Sequence, residues 1–446
     1  MSKCLLALFA LLLIGYMPAV SQGRGTAMSP DLVASARAFV DLLAKKDFSK
    51  AESYFDDTMK TALPQEKLQE TWNAIITQAG TFKRQVGTRT EVRSGYDVVI
   101  VTCEFEKAAV DIQVVFDQDK RIAGLFFTPA KTTVEYTPPS YVKPNAFRER
   151  EVTVGTGDWA LPGTLTLPVR EGSFPAVVLV HGSGPHDRDE TIGQNRPFRD
   201  LAWGLASQGI AVLRYEKRTR QYATKLGSMG GQFTVKEETI DDVLAAVALL
   251  RKTEGIDTKR IFVLGHSLGA MLVPRIGKRD PNIAGFIVLA GATKQPEDAI
   301  LEQTIYIFSL DGLLSKERQA QLEEIKRQVA KVKSLTSSDA GSSVVLFGAP
   351  VSYWLDLRGY DPPKEAKALK HQMLILQGER DYQVTLEDFQ RWKAALSSKQ
   401  NVMFKSYPNL NHLFIEGNGK SAPAEYNMPG HVAEVVINDI ANWIRK

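Results

Sequence analysis

From residue 176 onward the chain repeats one pattern: a short run of purely apolar residues, then a stretch with helical spacing, then another apolar run. Ala176–Val180, Ile210–Leu213, Ile261–Leu264, Ile283–Leu289, Met373–Leu376 and Val402–Phe404 are the runs. The intervening helical stretches include Asp200–Ser207, Glu238–Lys252 and, after the last run, His431–Ile444. A strand with no polar face must be covered on both sides, and helices between such strands supply the cover. Two further strand-like segments, Glu151–Val154 and Thr164–Leu167, open the series and bring the count to eight. The pattern therefore predicts an α/β fold over residues 149–446, with an eight-stranded, mostly parallel, doubly wound sheet. Ligands of such sheets bind beyond the carboxyl ends of the strands. Residues 295–363 interrupt the alternation between the sixth and seventh runs and read as a helical lid, amphipathic over Ala299–Leu335.

The preceding segment has a different texture. Residues 29–79 read helical, with apolar positions at Leu32, Phe39, Val40, Leu68, Trp72 and Ile76 and a break at Lys46-Asp47-Phe48. Four β-rich runs follow, Thr81–Glu91, Tyr96–Phe105, Ala109–Asp117 and Ile122–Thr128, separated by turn residues. Helices followed by a strand meander give a small α+β domain over residues 29–130. Residues 131–148 carry three prolines and no apolar period, which predicts an extended linker.

At the start, Lys3 precedes an apolar run from Leu5 to Ile14, then Gly15, Pro18 and Ala19-Val20-Ser21. That is the three-part pattern of an export signal over residues 1–21, cleaved after Ser21. The run is too short to span a bilayer, which takes about 20 apolar residues. The expected location is periplasmic or secreted, with no membrane span in the mature chain. Of two cysteines, Cys4 would leave with the signal and Cys103 lies in a strand-like run, so neither a disulfide framework nor a Cys-based zinc site is available. A net charge of +4, dispersed along the chain, gives no concentrated basic face for nucleic acid.

The chemistry concentrates at the ends of the apolar runs. Gly265-His266-Ser267-Leu268-Gly269 joins the strand Ile261–Leu264 to a helix over Ala270–Ile276. A strand–G-x-S-x-G–helix turn exposes a serine hydroxyl on a strained backbone, which makes Ser267 the candidate nucleophile. A hydroxyl needs a base and a group to orient that base. In this arrangement the acid and then the histidine follow the serine in the chain. Three histidines follow Ser267. His371 precedes a strand and falls at the wrong end of the sheet; His431 follows Pro429-Gly430 at a helix start; His412 follows the last strand. His412 is the expected base. Asp381, after the strand Met373–Leu376, is the expected acid, with Glu379 as fallback. Oxyanion donors are expected at the backbone N–H of Leu268 and of Ser183, or alternatively Gly184, in the loop after Val180. His181 in that loop reads as a brace. Tyr353 and Trp354 in the lid are candidate pocket residues. Asp187, Arg188 and Asp189, with Arg214, Lys217 and Arg218, read as an ion-pair cluster or, more sharply, as a clamp for an anionic substrate.

Gly155-Thr156-Gly157-Asp158-Trp159-Ala160 matches a dinucleotide-binding string but leads into a strand where a helix is required. Without a Walker loop or a metal-binding motif, no cofactor and no metal are expected.

Together, the sheet pattern, His181-Gly182-Ser183-Gly184, Gly265–Gly269, Gly378-Glu379-Arg380-Asp381 and Asn411-His412 resemble an α/β-hydrolase. The run His181–Asp189 with Gly348-Ala349-Pro350 is similar to a bacterial carboxylesterase group often placed with the serine aminopeptidase-like hydrolases. The N-terminal segment resembles the cone-shaped domains of the nuclear-transport-factor-2-like superfamily. The resemblance implies a Ser-His-Asp carboxylesterase acting on a small-molecule ester of a short acyl or aryl group. The same triad also serves aminopeptidases and thioesterases, and a non-catalytic ligand-binding protein is the alternative of another class. For the N-terminal domain, which has no histidine, packing, homo-oligomer formation or ligand collection is expected rather than catalysis.

Overall fold

A computed structural model describes residues 30–446 except 94–95, 107, 131–135, 229–232, 311 and 313–314. The expected export signal, residues 1–21, lies outside the described residues. The chain divides into two units, Met1–Val134 and Glu135–Lys446.

In the first unit, strands β1 (Phe82–Arg93), β2 (Tyr96–Phe105), β3 (Ala109–Phe116) and β4 (Ile122–Pro129) form an antiparallel meander in sequence order. Helices Pro30–Ala44, Phe48–Glu52, Asp57–Ala62 and Gln65–Ala79 precede it. The break at Lys46-Asp47 has a local cause. Lys46 takes a left-handed φ of 61°, and the Asp47 carboxylate caps the next helix by accepting from Lys50 N at 3.2 Å. Phe39, Val40, Leu43 and Trp72 bury against Val99, Val101, Cys103 and Ile112 of the sheet. Each fully buried side chain of this size contributes roughly 1.5–3 kcal/mol.

In the second unit the strands are β5 (Phe147–Val154), β6 (Leu161–Pro168), β7 (Phe174–Val180), β8 (Ala211–Tyr215), β9 (Ile256–His266) and β10 (Gly285–Leu289). They are followed by the two-residue β11 (Val345–Leu346) and β12 (Ala349–Pro350) of a lid hairpin, then β13 (Gln372–Gly378) and β14 (Val402–Tyr407). The eight-stranded sheet runs β14-β13-β10-β9-β7-β8-β6-β5. β5 and β6 pair antiparallel, as do β6 and β8, and all other neighbours are parallel. The apolar runs are apolar because alternate residues feed separate cores. Ala176, Val178 and Val180 join one with the helix Asp241–Arg251. Val177 and Leu179 join the other with the helices Pro197–Ala206 and Glu434–Arg445.

The lid segment between β10 and β13 differs from a single helical stretch. It forms two helices, Pro296–Ser309 and Lys316–Ser334, then the hairpin and the helix Val351–Leu357. Ser315 caps the second helix, accepting from Arg318 N. Val332, Leu335, Leu346, Val351 and Trp354 give the lid its own small core.

The second half of the expected linker is docked rather than free. Tyr136 donates to Asp200 Oδ1 at 2.5 Å and Tyr141 to the Val432 carbonyl at 2.8 Å. Proline excludes helix there, but the tyrosine rings still bury and their hydroxyls still find acceptors. Among the described residues no helix is long and apolar enough to cross a membrane.

Candidate active site

Ser267 sits between β9 and the helix Leu268–Met271 at φ 53° and ψ −112°, a conformation that costs a β-carbon-bearing residue energy. The flanking glycines make the turn sterically allowed. A Cβ on Gly265 would meet the Gly269 carbonyl carbon at 2.4 Å, and one on Gly269 would meet the Val180 carbonyl oxygen at 2.4 Å. Ser267 N–H donates to Leu289 O at 3.0 Å, tying the turn to the end of β10.

His412 and Asp381, on loops after β14 and β13, are both buried and meet at 2.6 Å between Nδ1 and Oδ2. Asp381 is held from three further sides. Its Oδ1 accepts from Gln383 N at 2.8 Å and Val384 N at 3.0 Å, and its Oδ2 from Gln377 Nε2 at 3.3 Å. With Nδ1–H donated to the carboxylate, Nε2 is the nitrogen that can accept a proton. The other candidates are engaged elsewhere. Glu379 accepts from the Ser406 hydroxyl at 2.7 Å. His371 packs its ring 5.0 Å from Phe286, ahead of β13. His431 pairs with Asp200 at 3.1 Å and precedes the last helix, which begins at Glu434.

Ser267, Leu268, Ser183 and His412 line one cavity of about 890 Å³. Tyr353 and Trp354 line it too, beside Phe233 and Phe347. Trp354 is also part of the lid core, where its Nε1–H donates to Leu346 O at 3.1 Å. Burial, with Glu238 nearby, raises the Tyr353 hydroxyl well above its ordinary pKa, so it stays neutral.

The loop after β7 crosses directly over the nucleophile turn. A Cβ on Gly182 would lie 3.2 Å from Ser267 Cβ. His181 braces this loop, its Nε2 lying 3.0 Å from Asp187 O, and burial lowers its pKa to about 3, so it is neutral. His186 Nε2 lies 2.5 Å from Ser183 O.

Glu190, unassigned from sequence, ties the parts together. Its Oε1 accepts from Gly182 N at 2.6 Å, and its Oε2 lies 2.9 Å from His266 Nδ1. His266 Nε2 in turn reaches His412 O at 3.0 Å. Burial alone would raise the Glu190 pKa, but the His266 imidazolium overrides it and lowers it to about 2. Burial opposes charge on His266 too, and Glu190 wins, raising its pKa. Glu190 takes a left-handed φ of 50°, unusual for its residue type.

The charge cluster resolves into pairs. Arg214 binds Asp189 and Glu149; Arg188 lies 2.6 Å from Glu151 and 2.9 Å from Glu216; Arg218 binds Asp242. These cations face structural acids, which disfavours the anionic-substrate clamp. Lys217 alone turns toward the cavity loop. Among the described residues no group of three or more His, Cys, Asp or Glu side chains could hold a metal ion.

Residues 173–418 match the family described as serine aminopeptidase, S33, and residues 36–125 a family described as a protein of unknown function, DUF3887. The chain is 40% identical over 410 residues to the esterase EstD of Thermotoga maritima, covering 92% of this chain and 94% of that one. Est1E from Butyrivibrio proteoclasticus is 17% identical with a TM-score of 0.43, covering 66% of this chain and 99% of that one. The Pyrococcus furiosus esterase PF2001 is 17% identical with a TM-score of 0.42, covering 71% and 96%. Fold and site define an α/β-hydrolase. Within that fold the chain belongs to the S33 serine aminopeptidase-like family, and it is an enzyme, a carboxylic ester hydrolase.

Proposed function

We propose that the enzyme cleaves carboxylic esters of short acyl or aryl groups through a covalent acyl-enzyme on Ser267. The observation that carries this reading is His412, paired with Asp381 at 2.6 Å and lining one cavity with a serine held at φ 53°. His412 Nε2 takes the Ser267 proton as Oγ attacks the ester carbonyl carbon. Charge moves to the carbonyl oxygen, where the backbone N–H groups of Leu268 and Ser183 receive it. Leu268 is the first residue of its helix, where N–H groups have no intrahelical acceptor. The intermediate collapses, the alkoxide leaves with the proton from His412, and the acyl group stays on Oγ. A water then gives a proton to His412 as its oxygen attacks the acyl carbon, and the second intermediate collapses to the acid while His412 returns the proton to Ser267 Oγ. Asp381 keeps the imidazole in the tautomer this cycle needs.

The size of the cavity suits a small molecule. Its lid side, with Phe233, Phe347, Tyr353 and Trp354, suits an apolar acyl or aryl group.

The test is kinetic. Against a panel of p-nitrophenyl esters of increasing acyl length and of aminoacyl p-nitroanilides, short and aryl esters are expected to be turned over best. Ser267→Ala and His412→Ala should each lose at least about 10⁴-fold in kcat, by the precedent of such triads. His431→Ala should stay near wild type. Activity that follows His431 in place of His412 refutes the base, and preference for the anilides refutes the ester assignment.

A further inference from the structure

Two buried side chains of the cavity region have no part in the reaction as written above, Lys217 and Glu238. The Lys217 ammonium, on the segment after β8, donates to the Gly182 carbonyl at 2.7 Å and lies 2.9 Å from Glu238 Oε1. Both residues are at least 95% buried. Glu238 projects from a π-helical turn, Lys236–Ile240, at the start of the helix Asp241–Arg251. Such turns disturb an otherwise regular helix and are frequent at functional sites.

A buried ion pair is weak support for stability, since an apolar pair of equal volume often does as well. What Lys217 touches suggests another role. The Gly182 carbonyl and the Ser183 N–H belong to the same planar trans peptide unit, so they point in opposite directions. Whatever holds the oxygen aims the hydrogen. Gly182 has no side chain to limit its backbone rotation, and a Cβ there would crowd Ser267 and Glu190. The restraint comes from outside on both flanks. Glu190 Oε1 accepts from the Gly182 N–H at 2.6 Å, and Lys217 holds the Gly182 carbonyl. A hydrogen bond from an ammonium also polarises the peptide it binds, which strengthens that peptide's N–H as a donor.

We propose that Lys217, anchored by Glu238, is a positioning residue that aims and polarises the Ser183 N–H toward the developing oxyanion. The proposal rests on the reading of Ser183 as an oxyanion donor. Its effect falls on the transition state, because the ester oxygen carries little charge before attack.

Lys217→Met combined with Glu238→Gln removes both charges with little change of side-chain length. Rates are taken per site titrated with a fluorophosphonate, so misfolded protein drops out. Loss of one oxyanion donor costs about 10²–10³ in kcat, and loss of its alignment is expected to cost about 10- to 100-fold. KM for p-nitrophenyl acetate should stay within about threefold, and affinity for a trifluoromethyl ketone analogue of the tetrahedral intermediate should fall in step with kcat/KM. Glu238→Gln alone, which frees the ammonium from its anchor, should lose about three- to tenfold with the same split. It decides the question if the paired variant gives no titratable sites. Unchanged kcat, or a loss confined to KM with analogue affinity intact, overturns the proposal. A wild-type protein that the fluorophosphonate does not label overturns the ester-cleaving reading instead.

Discussion

In the N-terminal unit the buried carboxylate of Asp111 on β3 is met by side chains of the same sheet, Arg89 on β1 at 2.6 Å and Thr102 on β2 at 2.6 Å. In the C-terminal unit the buried charges near Ser267 are met largely by backbone. Glu190 accepts from Gly182 N, Lys217 donates to Gly182 O, His266 reaches His412 O, and Asp381 accepts from Gln383 and Val384. The difference follows from what each region already has. The meander β1–β4 satisfies its peptides through its own ladder, so the Asp111 carboxylate there is met by side chains. The loops at the carboxyl ends of β7, β9, β13 and β14 have no ladder to fix them, and buried ions hold their peptides in its place. One region spends its buried polar groups on a sheet that would form regardless, and the other uses them to aim N–H groups and an imidazole.

That contrast can be broken at several points. The largest effect is expected at Asp381→Asn, which leaves the loop packed but favours the wrong His412 tautomer. The kcat should fall by about 10³–10⁴-fold with little change in KM. Steady-state kinetics on a p-nitrophenyl ester check it.

Next comes Glu190→Gln, expected to lower kcat by about 10- to 100-fold because Gly182 and His266 lose their common anchor. It also carries a pH signature. Glu190 has a lowered pKa of about 2, so its stabilisation is present above its ordinary value of 4.5 and is lost as pH falls toward 2. His266 has a raised pKa, so its contribution is whole below 6.5 and is lost as pH rises through the raised value. The gap in Tm between wild type and Glu190→Gln should therefore be widest between about 4.5 and 6.5 and narrow on either side. A gap that does not vary with pH would mean the pair is not ionised.

In the N-terminal unit, Arg89→Met with Asp111→Asn should cost about 1–3 kcal/mol of that unit's stability in a denaturant melt. Its kcat should match wild type within about twofold, since among the described residues neither lines the cavity that holds Ser267 and the two share no partner with it. A large loss of activity would erase the distinction between the units. The smallest effect is expected at Cys103. Burial, reinforced by Asp111, pushes its thiol up to about 12, so Cys103 should not react with a thiol reagent at neutral pH in the native protein, and unfolding should make it reactive, as peptide mapping of the labelled chain checks.

Much of this arrangement was legible in the sequence for a physical reason. A strand buried on both faces has to be apolar throughout, so the six parallel strands announce themselves, and their ends point to Ser267, Asp381 and His412. The residues that hold these groups did not announce themselves. Glu190 follows Asp187 and Asp189 in a loop and Glu238 follows Glu237 at a helix start, settings where most acids are solvated. Lys217 stands between Arg214 and Arg218, and nothing local distinguishes the cation turned to the Gly182 carbonyl from two paired with Asp189 and Asp242. Burial is a tertiary property, and the backbone state of Glu190 and the π-helical turn under Glu238 come with it. The docking of Tyr136 and Tyr141 was hidden in the same way, because prolines report only that no helix forms.

The central claim is that Ser267 is the nucleophile, and peptide mapping of fluorophosphonate-labelled enzyme by mass spectrometry tests it most directly. One adduct is expected, on Ser267, lost on prior denaturation and absent from Ser267→Ala. An adduct on another residue, or labelling that persists in Ser267→Ala, would contradict it.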